Sequence, residues 1–111
     1  MTRHYVPRRG DVVFTDFDPA AGHEQKLMRP ALILSPDAFN QKLKLALVAP
    51  ITSTVRGHGF EVALEGTKTT GVVLCQQVKV IDYDARGVRY IEQASASVIN
   101  AVLAKVRLLV S

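Results

Sequence analysis

Apolar residues in this chain fall first into short runs and only near the end into a helical stripe. Val12-Val13-Phe14-Thr15-Asp16-Phe17 reads as an opening strand, turned in by Arg9-Gly10-Asp11. Asp18-Pro19-Ala20-Ala21-Gly22 closes it with loop residues. Leu32-Ile33-Leu34 is an unbroken apolar run, the pattern of a strand buried on both faces. Pro30 is placed at its first residue, where a missing N–H costs least. Pro36-Asp37-Ala38-Phe39-Asn40 predicts one short helical turn, with Ser35 as cap and Pro36 at its first position. Leu45-Ala46-Leu47-Val48-Ala49 is a wholly apolar strand that Pro50 is expected to stop. Phe60-Glu61-Val62-Ala63-Leu64 alternates as a half-exposed strand, and Val72 to Ile81 reads as one long strand. Asp82-Tyr83-Asp84-Ala85-Arg86-Gly87 breaks it before a last short strand, Val88-Arg89-Tyr90-Ile91.

Beyond Ser95 the period changes. Val98, Ile99, Val102, Leu103, Val106, Leu109 and Val110 recur at three- and four-residue steps, the stripe of one amphipathic helix capped by Ser95 or Ser97. Leu108 lies off that stripe and widens the apolar face beyond what one small core needs, which predicts a homodimer. Several short strands and a terminal helix, without repeats or linkers, make a small β-barrel-like α+β domain.

Composition narrows the class. A chain of 111 residues fits a single domain, 1–111, with a real core, and 48% hydrophobic residues speak against disorder. No apolar run approaches the roughly 18 residues of a membrane span. The basic start, Met1 to Arg9, has no apolar stretch behind it, so it does not read as a signal peptide. The single cysteine, Cys75, rules out an intramolecular disulfide and fits a reducing compartment, so a cytoplasmic location is expected. The formal charge is +4, from 14 Lys and Arg against 10 Asp and Glu. The basic residues fall mostly in loops or at strand ends, which favours a polyanionic partner.

The candidate chemistry gathers at one strand mouth. Arg29 is the last residue before Pro30 and the apolar run, with His23 and Glu24 in the loop before it. A guanidinium on a rigid base, with five donors, suits an oxyanion such as phosphate. A surface ion pair between Arg29 and Glu24 is the alternative reading of the same residues. Thr52-Ser53-Thr54 follows the second apolar strand and would project beside Arg29 if the two strands are neighbours. A threonine-rich loop bonding its own backbone is the other reading there. Other chemistries lack their patterns. Gly66-Thr67-Lys68-Thr69 has no upstream glycine spacing for a phosphate loop and reads as a hairpin turn. His4, His23 and His58 are scattered, the Asp16/Asp18 and Asp82/Asp84 pairs lack further ligands, and Cys75 reads as a core thiol; no metal or cofactor is expected.

Arg9-Gly10-Asp11-Val12, Phe17-Asp18-Pro19, Gly22-His23-Glu24-Gln25, Arg29 to Ser35, Pro50-Ile51-Thr52 and Gln77-Val78-Lys79 resemble the MazF/PemK family of toxins, in order and spacing, over nearly the whole chain. The resemblance implies an SH3-like barrel of the CcdB/PemK type, a homodimer and a cognate MazE-like antitoxin that blocks the site. It further implies a metal-independent endoribonuclease that cuts single-stranded RNA at short sequences and so arrests translation and growth. Catalytic roles would fall on Arg29, Thr52 and Glu24. RNA contacts would fall on His23, Gln25, Lys26, Ser53, Thr54, Arg56, His58, Gln77, Lys79 and Arg86. The expected reaction is attack of a ribose 2′-OH on the adjacent phosphorus, leaving a 2′,3′-cyclic phosphate and a 5′-OH. One departure stands out: many members carry Asp or Glu where this chain has the neutral Gln76, so a mechanism leaning on a carboxylate there is in doubt. A barrel that binds RNA without cutting it is one rival. A CcdB-type gyrase poison is another, but that reading expects a C-terminal aromatic segment, and the chain has no Trp and ends Arg107-Leu108-Leu109-Val110-Ser111.

Overall fold

The computed structural model describes residues 5–16 and 28–111. Its strands are β1 (Asp11–Asp16), β2 (Met28–Ile33), β3 (Ala46–Thr52), β4 (Glu61–Ala63), β5 (Val72–Leu74), β6 (Lys79–Ile81) and β7 (Arg89–Gln93). Three helices accompany them: α1 (Asp37–Leu43), α2 (Tyr83–Arg86) and α3 (Ala96–Leu108). The strands pair antiparallel in the order β4-β5-β3-β2-β1-β7, with β6 also on β3. The α+β class expected from the sequence is the one observed. The sheet curls until its ends meet: the Glu92 carboxylate on β7 accepts the backbone N–H of Lys68 and Thr69 and the Thr69 hydroxyl, at 2.9, 2.8 and 2.7 Å, from the β4–β5 loop. A side chain, in place of a strand ladder, makes the barrel-like closure.

Alternation along the strands sorts the core into two apolar sets. Val12, Leu32, Ala49, Ile51 and Val73 pack with Val98 and Val102 of α3. Val13, Ala31, Ile33, Val48 and Ile81 pack on the other side with Tyr83, and Tyr5 joins their edge. Leu32, Ile33 and Leu34 are buried as their pattern demands, each contributing about 1.5–3 kcal/mol. Helix α3 begins where the sequence placed it: the Ser95 hydroxyl accepts the Val98 N–H at 3.3 Å, a cap contributing about 1 kcal/mol. The helix stops at Leu108, so Leu109 is its C-cap and Val110 lies beyond the stripe, exposed.

Three local expectations change. Pro50 does not stop β3; the strand runs through it to Thr52. Across its outer edge β3 pairs β6 at 46–48 and β5 at 51–52, and Pro50 falls between these ladders, where a missing N–H is tolerated. Pro30 likewise sits inside β2, before the β2–β3 pairing begins at Ala31. The run from Val72 to Ile81 is two strands with a 3₁₀ turn at Cys75–Gln77, because the chain must step from one end of β3 to the other. Cys75 is therefore in a turn, yet buried, and burial pushes its thiol up to about 11.

Ser35 is not a helix cap either. Pro36 holds the N-cap position of α1, and the Ser35 hydroxyl donates to Asn40 Oδ1 at 2.5 Å while accepting the Leu47 N–H at 2.8 Å. Asn40, fully buried, donates to the carbonyls of Pro7 (2.7 Å) and Ser35 (3.0 Å), and its own carbonyl accepts the Tyr83 hydroxyl. Asp11 is buried beside this network and takes the Tyr5 hydroxyl, the Arg8 N–H and the Gln93 amide.

Candidate active site

The β2–β3 register builds the site. Ala31 pairs Pro50, and carrying that register two residues outward sets Arg29 opposite Thr52, on one face of the sheet. Both strands are anchored by buried apolar residues just inside, so both side chains stand on a fixed base. The two strands expected to be neighbours are neighbours.

Arg29 and Thr52 border two clefts. One, of about 320 Å³, is lined by Arg29, Thr52, Thr54, Arg56, His58, Leu74, Gln76 and Gln77. The other, of about 340 Å³, is lined by Arg29, Pro30, Ile51, Thr52, Ser53 and Thr70. The two residues thus stand at the junction of the clefts. Arg29 is exposed, and no acceptor meets its guanidinium among the described residues. A larger depression, about 430 Å³ near Arg8 and Arg9, lies elsewhere; its Arg9 Nε is already committed to the Leu34 carbonyl at 2.6 Å.

The loop from Ser53 to Phe60 is held from below by one carboxylate. Glu61 accepts the Arg56 N–H on both oxygens at 3.1 Å and the Gly57 N–H at 2.8 Å. Burial pushes the Glu61 carboxyl up, but those N–H donors, with His58 and Arg56 beside it, outweigh burial and hold the pKa below its ordinary value. His58 Nδ1 accepts the Phe60 N–H at 3.2 Å, and its Nε2 lies 3.6 Å from Glu61 Oε2 and 3.4 Å from the Gln76 amide nitrogen.

Thr52 is fixed on two sides. Its Oγ1 accepts the Thr54 N–H at 3.1 Å, so the hydroxyl hydrogen is left to point at a ligand. The backbone bonding foreseen as the alternative is present, and it orients the hydroxyl. Gly71, at φ +121°, passes directly under Thr52; a Cβ there would lie 2.3 Å from the Thr52 carbonyl oxygen.

Of the residues singled out in the sequence, the first cleft brings together Arg29, Thr52, Thr54, Arg56, His58 and Gln77, and the second adds Ser53. Lys79, on β6, and Arg86, whose guanidinium donates to the Asp16 carbonyl at 2.9 Å, line neither. His23, Glu24, Gln25 and Lys26 lie outside the described residues. Gln76 as a cleft wall and Glu61 as a loop anchor were not foreseen. A signal for Glu61 was its spacing after Arg56-Gly57, close enough to reach their N–H groups. Among the described residues no group of three or more His, Cys, Asp or Glu could hold a metal ion, and no helix is long and apolar enough to cross a membrane.

A fold of this kind with an arginine and a threonine paired across one strand mouth has relatives. The profile of the PemK-like, MazF-like toxin of type II toxin-antitoxin systems matches residues 8–110. The chain is 39% identical over 110 residues to the endoribonuclease toxin MazF of Escherichia coli (strain K12), covering 99% of each. It is 45% identical over 108 residues to the endoribonuclease toxin ChpB of the same strain, covering 92% of each. A crystal structure of MazE-MazF from Deinococcus radiodurans superposes with a TM-score of 0.88 at 39% identity, covering 96% of this chain and 97% of that one. The chain belongs to the PemK-like, MazF-like family of type II toxins.

Proposed function

We propose that the protein is the toxin of a type II toxin-antitoxin pair and an endoribonuclease that cuts single-stranded RNA at the Arg29–Thr52 junction. The observation that carries this reading is that junction itself: a cation without an acceptor among the described residues stands opposite an oriented hydroxyl, between two clefts. The relatives named endoribonucleases supply the reaction class.

In this reading the ribose 2′-oxygen forms a bond to the adjacent phosphorus as the bond to the 5′-oxygen breaks, and the proton the 2′-OH gives up is matched by one taken up at the departing 5′-oxygen. The nucleophile already lies beside the phosphorus, which makes the step intramolecular. Arg29 faces the charge that grows on the phosphoryl oxygens, and the Thr52 hydroxyl donates to a non-bridging oxygen. A preorganised donor aimed at developing charge contributes roughly 3–4 kcal/mol. Glu24, five residues before Arg29 in the sequence, is the proposed third catalytic group. Among the described residues the first cleft is lined by cations, hydroxyls, carboxamides and an imidazole, donors that fit the oxygens of a phosphodiester.

The proposed partners follow the family. A cognate antitoxin would cover this basic face; the similar Deinococcus structure is one of MazE with MazF. A second copy of the chain would cover Leu108, Leu109 and Val110, which are exposed. The decisive experiment uses an RNA oligonucleotide with and without one 2′-deoxy sugar 5′ to the scissile phosphate, in EDTA. The all-ribose strand should yield a 2′,3′-cyclic phosphate and a 5′-OH, while the deoxy strand binds and stays intact. Undiminished cutting of the deoxy strand overturns the mechanism, and binding of the ribose strand without any cutting overturns the enzyme.

A further inference from the structure

We propose that His58 and Gln76 form a wall of the first cleft that reads the nucleobase beside the scissile phosphate, so that they set which RNA sequence is cut. The inference rests on the ribonuclease reading and assigns the part of the cleft that the chemistry leaves unused.

The lining divides by chemistry. Arg29, Thr52, Thr54 and Arg56 are cations and hydroxyls, the donors a phosphate asks for. Gln76 and Gln77 are carboxamides, which carry acceptors as well as donors, and an acceptor is useless to a phosphate. His58 adds a flat ring and Leu74 a nearly buried apolar surface. A planar ligand with mixed donors and acceptors on its edge fits such a wall, and an unpaired base in single-stranded RNA is that ligand. The cleft, at about 320 Å³, is at the lower end of the roughly 300–1,000 Å³ that hold small ligands.

The wall is also set in advance. Since Nδ1 of His58 accepts the Phe60 N–H, the neutral ring carries its proton on Nε2. That proton points into the space shared with Glu61 Oε2 and the Gln76 side chain, 3.6 and 3.4 Å away. A donor there is best met by the oxygen of the carboxamide, whose two ends exchange by a simple flip. The Gln76 NH₂ then turns outward to the ligand, and its orientation is fixed by the ring. Glu61 in turn fixes the ring's loop through the N–H groups of Arg56 and Gly57. Recognition by hydrogen bonds discriminates only when the donors cannot turn to suit another base. Here the His58 ring and the loop that carries it are each held by a neighbour, and Gln76 lies against the ring.

The test is a random pool of single-stranded RNA cut by the wild type, His58→Ala and Gln76→Ala, with the new 5′ ends sequenced. The wild type should show a strong preference at a nucleotide flanking the cut. In both variants the ratio of preferred to disfavoured base at that one position should shrink by roughly five- to 150-fold, the discrimination of one good side-chain-to-base pairing, while the preferences elsewhere persist. Both side chains are exposed, and urea midpoints matching the wild type would show that the fold is intact. Ratios unchanged at every position overturn the wall, whether or not the overall rate falls, as does a loss spread evenly over all positions. A wild type that cuts no member of the pool instead defeats the ribonuclease reading, and this inference with it.

Discussion

Two polar regions of this molecule use the same kinds of group to opposite ends. Around Asn40, a carboxamide, a hydroxyl and a phenol are buried and every one is paired: with Pro7, Ser35, Leu47 and Tyr83. Around Arg29, the polar groups are exposed; its guanidinium has no acceptor among the described residues, and Thr52 keeps a hydroxyl hydrogen unspent. Buried polar groups that are satisfied help specify the fold, whereas the polar groups at Arg29 and Thr52 remain open to a ligand.

The contrast breaks most sharply at Arg29. Arg29→Ala should lower RNA cleavage by roughly 10²–10³-fold, with the thermal unfolding midpoint nearly unchanged. A large fall in melting temperature with a proportionate loss of activity would place Arg29 with the structural group. Asn40→Ala should behave in the opposite way. It strips donors from two carbonyls and the acceptor from the Ser35 hydroxyl, a loss of about 3 kcal/mol, read as a lowered urea midpoint. Cleavage measured well below the transition should stay within twofold of wild type, and a catalytic loss without destabilisation would sink the division.

Gly71 tests whether the two regions are independent. Its φ is +121°, and a Cβ added there would lie 2.3 Å from the Thr52 carbonyl oxygen, so there is no place for a methyl group. Gly71→Ala should cost about 1–3 kcal/mol of stability and also reduce cleavage by about tenfold or more, because Thr52 is displaced. Full activity in the folded variant would show that Thr52 tolerates the shift. The smallest expected effect is in acid. The folded Glu61 carboxyl has its pKa held below the ordinary value, so its hold on the loop is complete above that value and is lost as pH falls through the lowered one. The Gly57 amide resonance should follow this titration, with a midpoint below that of an unperturbed glutamate. A midpoint at or above the ordinary value would remove Glu61 as the anchor.

The sequence made the strands and the terminal helix readable because burial imposes a period, and Leu32-Ile33-Leu34 and the Val98–Val102 stripe obey it. It misplaced Pro50 and the Val72–Ile81 run for one shared reason. Both depend on which strand lies across β3 at which point, and a ladder's gaps are set by distant residues. The same reason kept Gln76, noted in the sequence only as a neutral replacement for an acidic residue, from being read as a cleft wall; its exposure comes from the 3₁₀ turn that the change of partner requires. Arg29 and Thr52 could be singled out because each flanks an apolar run, but their facing positions came only with the β2–β3 register. The Ser35 hydroxyl was read locally as a cap, and it serves a contact with Leu47 twelve residues on.

The Glu92 contact gives the molecule a seam. Where neighbouring strands are stitched by repeated backbone bonds, β7 and the β4–β5 loop are buttoned by one carboxylate, whose pKa the Lys68 N–H chiefly, with Thr69, holds below its ordinary value against burial. A button opens in one event, whereas a ladder must be unpicked bond by bond. The loop held by this contact ends at Gly71, beneath Thr52. The seam and the seating of the Thr52 side chain are, by this arrangement, joined through one loop.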